Sequence, residues 1–428
     1  MPQAPTARRQ ARTHITALDV GAQVIKALVV KREAGEAIVL GVGRSEQGPG
    51  VADAAAPPDL ESVIEGCHTA LEAAEDMAEA IPTRVVVGLG GPRVRALSSS
   101  GSRLRGRPQL RISRRELDDQ VESIQRRALR EAQARLEEDA AAAADGPLKL
   151  IHSSITAAKV DGQPVVDPLR YQGQKVELTV FNTFATEGQY AAIEEIAQAL
   201  DLELLETVAE PYALARLAAT PEVLEAGAIL VDIGARTTTL SLIRGGMLES
   251  SRMFELGGRA FTRKLATDLD LGLPLAESLK LRHAAGMLGG QEEARVRRAM
   301  GESAEVLAQG VALVLHDLAK GQPLPTRVRM CGGGSQLPEV IEQLSVLRWT
   351  DYLPFVKAPV FTILAPDELG AVHDTTGLLT SPADVTPMGL AYQACGEIEE
   401  AAEQPPILEG MLRRFNQVIR GSGGSSAP

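Results

Sequence analysis

Two aspartates occupy equivalent places in this chain. Asp19 sits near the end of an apolar run and is followed by Val20-Gly21; Asp232 ends a second such run and opens Asp232-Ile233-Gly234-Ala235-Arg236-Thr237-Thr238. A third turn, Gly332-Gly333-Gly334-Ser335, follows the run at 327–331. Glycine lets the backbone approach a ligand closely and take positive φ. Successive N–H groups at such turns form concavities that bind anions. A carboxylate at the end of each of two strands suits hydrated Mg²⁺, which takes few carboxylates and keeps several waters. The chemistry indicated is phosphate binding with a divalent cation. Each turn alone serves equally as an ordinary β-turn. The paired threonines and the conformational entropy cost of three glycines favour a functional role for the second and third. There is no Gly-x-x-x-x-Gly-Lys-Ser/Thr loop and no His-Glu-x-x-His. Gly88-Leu89-Gly90-Gly91 runs into Pro92 and is only a fragment of a dinucleotide loop. The histidines are scattered, with no pair at ligand spacing.

The elements that position these turns follow from pattern. Residues 14–30 read as two strands turning at Gly21, and 228–243 as a second strand–turn–strand unit. The shared Asp-x-Gly pattern suggests a duplicated domain. Leu60, Val63, Ile64, Cys67, Leu71 and Ala74 fall at helical spacing, and 84–89 is a buried strand. From Ser98 to Thr183 the character changes, with arginines crowding 103–115, a charged helix at about 113–141 and strand-like runs at 149–155 and 175–181. This stretch reads as an inserted α+β subdomain. A helix at about 188–200 and a mostly helical stretch at about 259–320 complete the body.

Composition bounds the function. The 428 residues predict two to four structural units. Hydrophobic residues at 44% and charged residues at 23% exclude disorder for the bulk of the chain. Aromatics at 3% leave cores to Ala, Leu, Val and Ile and supply no stacking surface for single strands. A net charge of −12 argues against nucleic acid as a partner. The arginines from Arg103 to Arg130 are balanced by Glu116, Asp118, Asp119 and Glu122 and read as a solvated face. Three separated cysteines make neither a disulfide framework nor a zinc site. No apolar run reaches the roughly 20 residues of a membrane span, and the basic arm at 1–12 lacks the apolar core of a signal peptide. A cytoplasmic protein is expected.

The last helix has its own chemistry. Ile407, Leu408, Met411, Leu412, Phe415, Val418 and Ile419 form one apolar stripe, flanked by Arg413, Arg414 and Arg420. An acidic linker at 396–406 precedes it and a tail at 421–428 follows it. The pattern suits an in-plane membrane helix, with Leu408, Met411, Leu412, Phe415, Val418 and Ile419 inserted and Arg413 and Arg414 at the headgroups. A helix packed on the body of the same chain is the alternative.

In order, the motifs resemble the actin/Hsp70/hexokinase ATPase superfamily. Asp19–Gly21 is similar to its first phosphate motif, DIGARTT to its second and CGGGSQLP to its adenosine motif. Glu210-Pro211-Tyr212-Ala213-Leu214-Ala215 and TPMGLAYQA resemble its two connecting helices. FELGGRAFTRKLATDLDLGLPLAESLKLRHAAG, and IHSSITAAKVDGQPVVDPLRYQGQKVELTVFNTFA in the insert, narrow the likeness to the bacterial FtsA cell-division family over about residues 13–420. The pilus-assembly protein PilM is a looser relative.

The resemblance implies an α/β, two-lobed actin-like fold of duplicated ribonuclease H-like domains. Residues 13–83 and 182–225 would form the first lobe, 84–181 the insert, 226–258 and 323–395 the second lobe, 259–322 a helical subdomain and 407–420 the amphipathic helix. It implies ATP and Mg²⁺ as cofactors. Asp19 and Asp232 would hold Mg²⁺ through water. Backbone N–H groups around Gly21 and Gly234, with Thr237 and Thr238, would hold phosphates. Gly257, Gly258, Glu277 and Lys280 would line ribose and adenine, and Gly332, Gly333, Gly334 and Ser335 would pack on adenosine. Glu210 would orient the attacking water; it reads equally as a helix-start carboxylate favoured by the helix dipole. The family pattern has Ser or Thr after the first glycine and a further glycine in the second motif, where this chain has Ala22-Gln23 and Ala235-Arg236. A lost hydroxyl removes one charge-assisted phosphate bond, roughly 1.5–3 kcal/mol, so slow or absent hydrolysis is expected.

Implied partners are the tubulin-like protein FtsZ, docking on the helical subdomain, other division proteins, membrane lipids and further copies of the chain in filaments. The implied location is peripheral, on the cytoplasmic face of the membrane at the division site. A PilM-like pilus adaptor and a small-molecule kinase are the alternatives. A chaperone of the Hsp70 type would need a large substrate domain after the ATPase.

Overall fold

A computed structural model describes residues 13–47, 59–91, 94–137 and 145–400. The chain divides into two compact units, one of residues up to 92 with 195–398, the other built on 93–194.

The first unit opens with an antiparallel meander, β1 (His14–Val20), β2 (Val24–Glu33) and β3 (Glu36–Glu46). Ile15, Ala17, Leu18 and Ile25 are sealed from solvent, as are Ala27 to Val30. Near-continuous apolar burial of this kind belongs to strands covered on both faces. Helix α1 (Leu60–Ala78) follows. β4 (Arg84–Leu89) then lies parallel to β1. It therefore belongs to the first sheet, and the expectation that the insert begins at 84 is corrected: Val85, Val86 and Val87 pair with Thr16, Ala17 and Leu18.

The second unit holds β5 (Arg95–Leu104), α2 (Arg114–Glu137), β6 (Leu148–Val160), the short β7 (Gln163–Pro164) and β8 (Lys175–Thr186), in sheet order β5-β8-β6-β7. Leu117, Val121 and Ile124 of α2 pack on Val176, Leu178 and Val180 of β8. Arg105 is buried here, donating to the Glu116 carboxylate and to the carbonyls of Leu110, Arg111 and Gly173.

After α3 (Glu187–Ala199), β9 (Glu203–Ala209) joins β4 in parallel, and α4 (Glu210–Leu217) and α5 (Pro221–Ala226) follow. A second meander is β10 (Ala228–Ile233), β11 (Thr238–Arg244) and β12 (Met247–Phe254). Helices α6 (Gly258–Leu269), α7 (Leu273–Ala284) and α8 (Gly290–Ala319) come next. β13 (Arg327–Cys331) pairs with β10 in parallel; after α9 (Pro338–Ser345), β14 (Val360–Ile363) pairs with β13. The two halves trace one path: β3-β2-β1-β4-β9 in one sheet and β12-β11-β10-β13-β14 in the other. Phe261 and Leu265 of α6, with Leu307, Val311 and Leu315 of α8, share a core with Ile229 and Val231 of β10. β15 (Val372–Asp374) crosses back to pair with β3, so part of the stretch expected in the second lobe completes the first sheet.

α10 (Val385–Glu400) runs past 396, so the expected linker begins as helix. The rest of that linker, the stripe at 407–420 and the tail lie outside the described residues. Among the described residues no helix is long and apolar enough to cross a membrane.

Candidate nucleotide and cation site

The meander register fixes the first half of the site. Asp19 stands opposite Lys26 across β1 and β2, and directly opposed side chains share a face. Asp19 is 8% exposed. The Lys26 ammonium lies 3.1 Å from Asp384 Oδ1 and also donates to the Ala383 carbonyl. Asp384, itself buried, accepts a further hydrogen bond from Arg44 Nη2 at 3.0 Å.

Asp232 occupies the equivalent place in β10, opposite Thr239. Its Oδ2 accepts from the Thr386 hydroxyl at 2.9 Å. Gly332 lies against it with φ +79°, and a Cβ there would stand 2.3 Å from Asp232 Oδ1. That position therefore requires glycine.

Glu210 begins α4, directly after β9. Gly90 makes room for its carboxylate, since a Cβ there would meet Oε2 at 2.1 Å. The fragment around Gly90, set aside in the sequence as a broken dinucleotide loop, is thus the wall behind Glu210.

Electrostatics tie the three acids together. Burial, opposed by Lys26 and reinforced by Asp232 and Asp384, pushes Asp19 up to about 6. Burial, then the charges of Asp19 and Asp232, hold Glu210 well above the usual carboxylate range. Asp232 is raised by burial, against the Thr386 hydrogen bond and Lys26. Asp19 and Asp232 share one lysine, Lys26, while Glu210 feels only their like charge, a surplus of acid that suits a divalent cation. Among the described residues no group of three or more His, Cys, Asp or Glu could hold an ion by itself. The pair Asp19 and Asp232 fits Mg²⁺ retained largely through its waters.

The second turn is docked on the glycine pair before α6. Gly258 N donates to Gly234 O at 2.9 Å and Arg259 N to Ala235 O at 2.8 Å, while Gly234 N donates to Thr237 O at 2.9 Å. Gly257 packs on Gly234 O and Ala235. Two hydroxyls expected to meet nucleotide are engaged locally. Thr238 is fully buried and donates to Leu256 O at 2.6 Å, bracing β11. Ser335 is fully buried and donates to Gly332 O at 2.7 Å, closing the third turn. Both side chains face backbone; Thr237 is half-buried and Gly333 is exposed.

Glu277 and Lys280, one turn apart on α7, form an ion pair at 2.7 Å. Lys280 also donates to Gly258 O at 3.1 Å and Thr262 Oγ1 at 3.0 Å. Burial opposes Glu277's charge, but Lys280, Thr262 and Gln23 together hold it below the usual range. Gln23 Nε2 reaches Glu277 Oε1 at 3.2 Å, and Arg259 Nη2 donates to Ala22 O at 2.9 Å. The Gly21 turn is thereby bonded directly to α6 and α7.

Sequence reasoning overlooked Lys26, Asp384, Thr386, Gly90 and Arg259. Only Lys26 left a readable signal. A hairpin turning just beyond Asp19 brings the residue seven places later opposite it. The partners at 384 and 386 are distant in sequence and visible only in the fold.

No family model matches the chain. The cell division protein FtsA of Pseudomonas aeruginosa is 25% identical over 277 residues, 64% of this chain and 61% of that protein, so this alignment spans under two thirds of the relative. The cell division protein FtsA of Streptococcus pneumoniae is 22% identical over 440 residues, 96% of this chain and 90% of that protein. A solved PilM-PilN type IV pilus biogenesis complex contains a chain that matches 90% of this one at a TM-score of 0.64 and 19% identity, a likeness of fold. With two sheets of one topology and this distant similarity along most of its length, the chain is an FtsA-like protein of the actin/Hsp70 fold.

Proposed function

We propose that the chain binds Mg²⁺-ATP between its two sheets and serves as a cell-division adaptor, polymerising on the membrane and tethering an FtsZ-like tubulin homologue there. One observation carries the nucleotide reading: Asp19 and Asp232 end equivalent strands of two sheets with the same path, and Glu210 shares their electrostatic environment. Mg²⁺-ATP, when bound, would supply the phosphoanhydride; Asp19 and Asp232 would orient the cation's water shell, and Glu210 would position an attacking water. In the ligand-free chain burial and the charges of Asp19 and Asp232 raise the Glu210 carboxyl above the usual range. Calorimetry of Mg²⁺-ATP with wild type and Asp232→Ala tests the site. The variant should bind at least about tenfold more weakly, or about 1.4 kcal/mol; equal affinities would remove the cleft assignment.

The adaptor reading rests on the FtsA likeness and on the stripe at 407–420. Fourteen residues make about 21 Å of helix, too short to span the roughly 30 Å hydrocarbon core. An in-plane helix binds through its apolar face, with arginines contributing about 1 kcal/mol each near anionic lipid. Such binding is weak for one chain and firm for an array. Phe415→Glu should abolish co-sedimentation with anionic liposomes while leaving the fold intact. Unfolding by that substitution, with wild type ignoring liposomes, would place the helix in the core. Deleting the second unit should leave a folded chain that forms no filaments on lipid, and unchanged filaments in electron micrographs would place the contact elsewhere.

A further inference from the structure

We infer that one end of the second unit is a membrane-contact surface for anionic lipid headgroups, a second and weaker contact added to the stripe at 407–420. The inference rests on the membrane reading above and places a lipid surface within the described residues.

The main ground is a loop with surplus charge. Residues 104–115 hold five arginines and no acid. Arg105 is turned inward, donating to the Glu116 carboxylate and to three carbonyls. The other four, Arg107, Arg111, Arg114 and Arg115, are exposed, and their side chains make no hydrogen bond or ion pair among the described residues. The nearby acids are taken. Glu116 is held by Arg105 and Ser113, Asp119 by Arg103 at 3.8 Å and Glu122 by Arg126. Asp161 accepts from the backbone N–H groups of Gln174 and Lys175, and Asp167 holds Arg170. A run that reads in the sequence as a balanced, solvated face thus leaves four arginines unpaired on a chain of net charge −12.

The same end presents apolar side chains. Leu104 ends β5 opposite Lys175, the first residue of β8. The loop is bonded back to the segment before β8: Arg105 N donates to Gln174 O at 2.8 Å, Ile112 N to Tyr171 O at 3.0 Å and Gly173 N to Pro108 O at 3.2 Å. On this pinned backbone Leu104 is 73% exposed, and Leu110 and Tyr171 are exposed as well. Val166, between β7 and Tyr171, is wholly exposed. Large apolar side chains standing out beside unpaired arginines mark a contact surface.

Chemistry selects the partner. An anionic bilayer offers phosphates to the arginines. Just below them it takes aliphatic side chains and the amphipathic ring of tyrosine. Nucleic acid would use the arginines and leave Leu104, Leu110 and Val166 in water. A protein interface sorts an apolar centre from a polar rim, whereas leucine and arginine are interspersed along 104–111.

The test is co-sedimentation of the full chain with vesicles of phosphatidylglycerol and phosphatidylcholine, titrated at low and high salt, with each variant checked for folding by circular dichroism. Each basic side chain near anionic lipid is worth roughly fivefold in affinity. Arg107→Glu with Arg111→Glu should raise the lipid needed for half-binding at least about tenfold at low salt, and by less at high salt. Arg295→Glu with Arg298→Glu makes the same change in net charge at exposed positions of α8 and should bind like wild type. Leu110→Gln should weaken binding about fivefold at either salt. Equal losses in the two arginine pairs would reduce the effect to net charge and overturn the inference. Wild-type affinity in the variant changed at 107 and 111 would overturn it too, leaving the surface to an acidic protein or nucleic acid. No loss in Leu110→Gln would overturn the choice of lipid over other polyanions. A wild type that ignores vesicles would overturn the membrane reading itself, a result distinct from a wild type that binds through Phe415 and is indifferent to Arg107 and Arg111.

Discussion

Neutralising Asp19 should stabilise the ligand-free protein, the reverse of what removing a native polar group usually does. Burial is the chief reason its carboxyl rises from 3.8 to about 6; Asp232 and Asp384 add to the rise and Lys26 opposes it. That rise corresponds to about 3 kcal/mol against the ionised form. The folded chain keeps its proton up to about pH 6 while the unfolded chain releases it near 3.8. Stability therefore falls as pH climbs through that window and stays lower above it. Asp19→Asn keeps the shape and discards the charge, and Lys26 retains Asp384 at 3.1 Å. At pH 8 the variant should be more stable than wild type by up to about 3 kcal/mol, and at pH 4 the two should be nearly equal. The chain has two compact units, so a single global transition is not assumed. Hydrogen exchange of β1 and β2 amides at both pH values reads the relevant unit directly. The same variant should lose Mg²⁺-ATP affinity, since one carboxylate of the cation site is gone. An Asp19→Asn that is less stable than wild type by the same amount at pH 4 and pH 8 would refute the electrostatic account.

Three further outcomes follow from other contacts. Gly332→Ala should lower Mg²⁺-ATP affinity and stability together, by roughly 2 kcal/mol or more in stability, because a methyl at φ +79° meets Asp232 Oδ1 and Ile233 O; titration calorimetry and thermal melts read both. His283→Ala removes the ring whose Nε2 lies 2.6 Å from Glu339 Oε1 in a site where both side chains are buried; stranding that carboxyl should cost about 3–5 kcal/mol in urea unfolding. In the second unit, hydrogen bonds from Arg105 and then Ser113 hold Glu116 down to about 2. That stability is present above the ordinary 4.5 and is lost as pH falls through about 2. Because Glu116 is about a third exposed, the loss should be only about 1–2 kcal/mol, and Glu116→Gln should abolish this part of the acid dependence.

What could be read from the sequence was local. Asp19 and Asp232 stood out because an apolar run, an acid and a glycine lie within a few residues, and these features fix both the strand and its turn. The hydroxyls were harder to place. Thr238 and Ser335 are of the right type at the right spacing for phosphate or adenosine, yet each donates to a carbonyl of its own neighbourhood. Spacing shows that a hydroxyl exists; only backbone geometry shows where it points. The boundary at 84 was misplaced for a related reason. An apolar strand beside a charged insert does not announce which sheet it joins, and β4 reaches its partner across α1.

The two halves share a path but differ in charge, and that difference bears on how such a site works. At the same register position Asp19 faces Lys26 and Asp232 faces Thr239. The first half thus carries its cation on the strand, where it is shared with Asp384. At that position the second half has no cation, and its aspartate accepts from the Thr386 hydroxyl in the first turn of α10. Ser381–Val385 meets both halves: Gly332 N donates to Pro382 O at 3.0 Å, while Asp384 receives Lys26 and Arg44. Residues 381–386 thus bridge the two halves through charge-assisted hydrogen bonds at Asp384 and Asp232, the stronger kind, and a backbone hydrogen bond at Gly332.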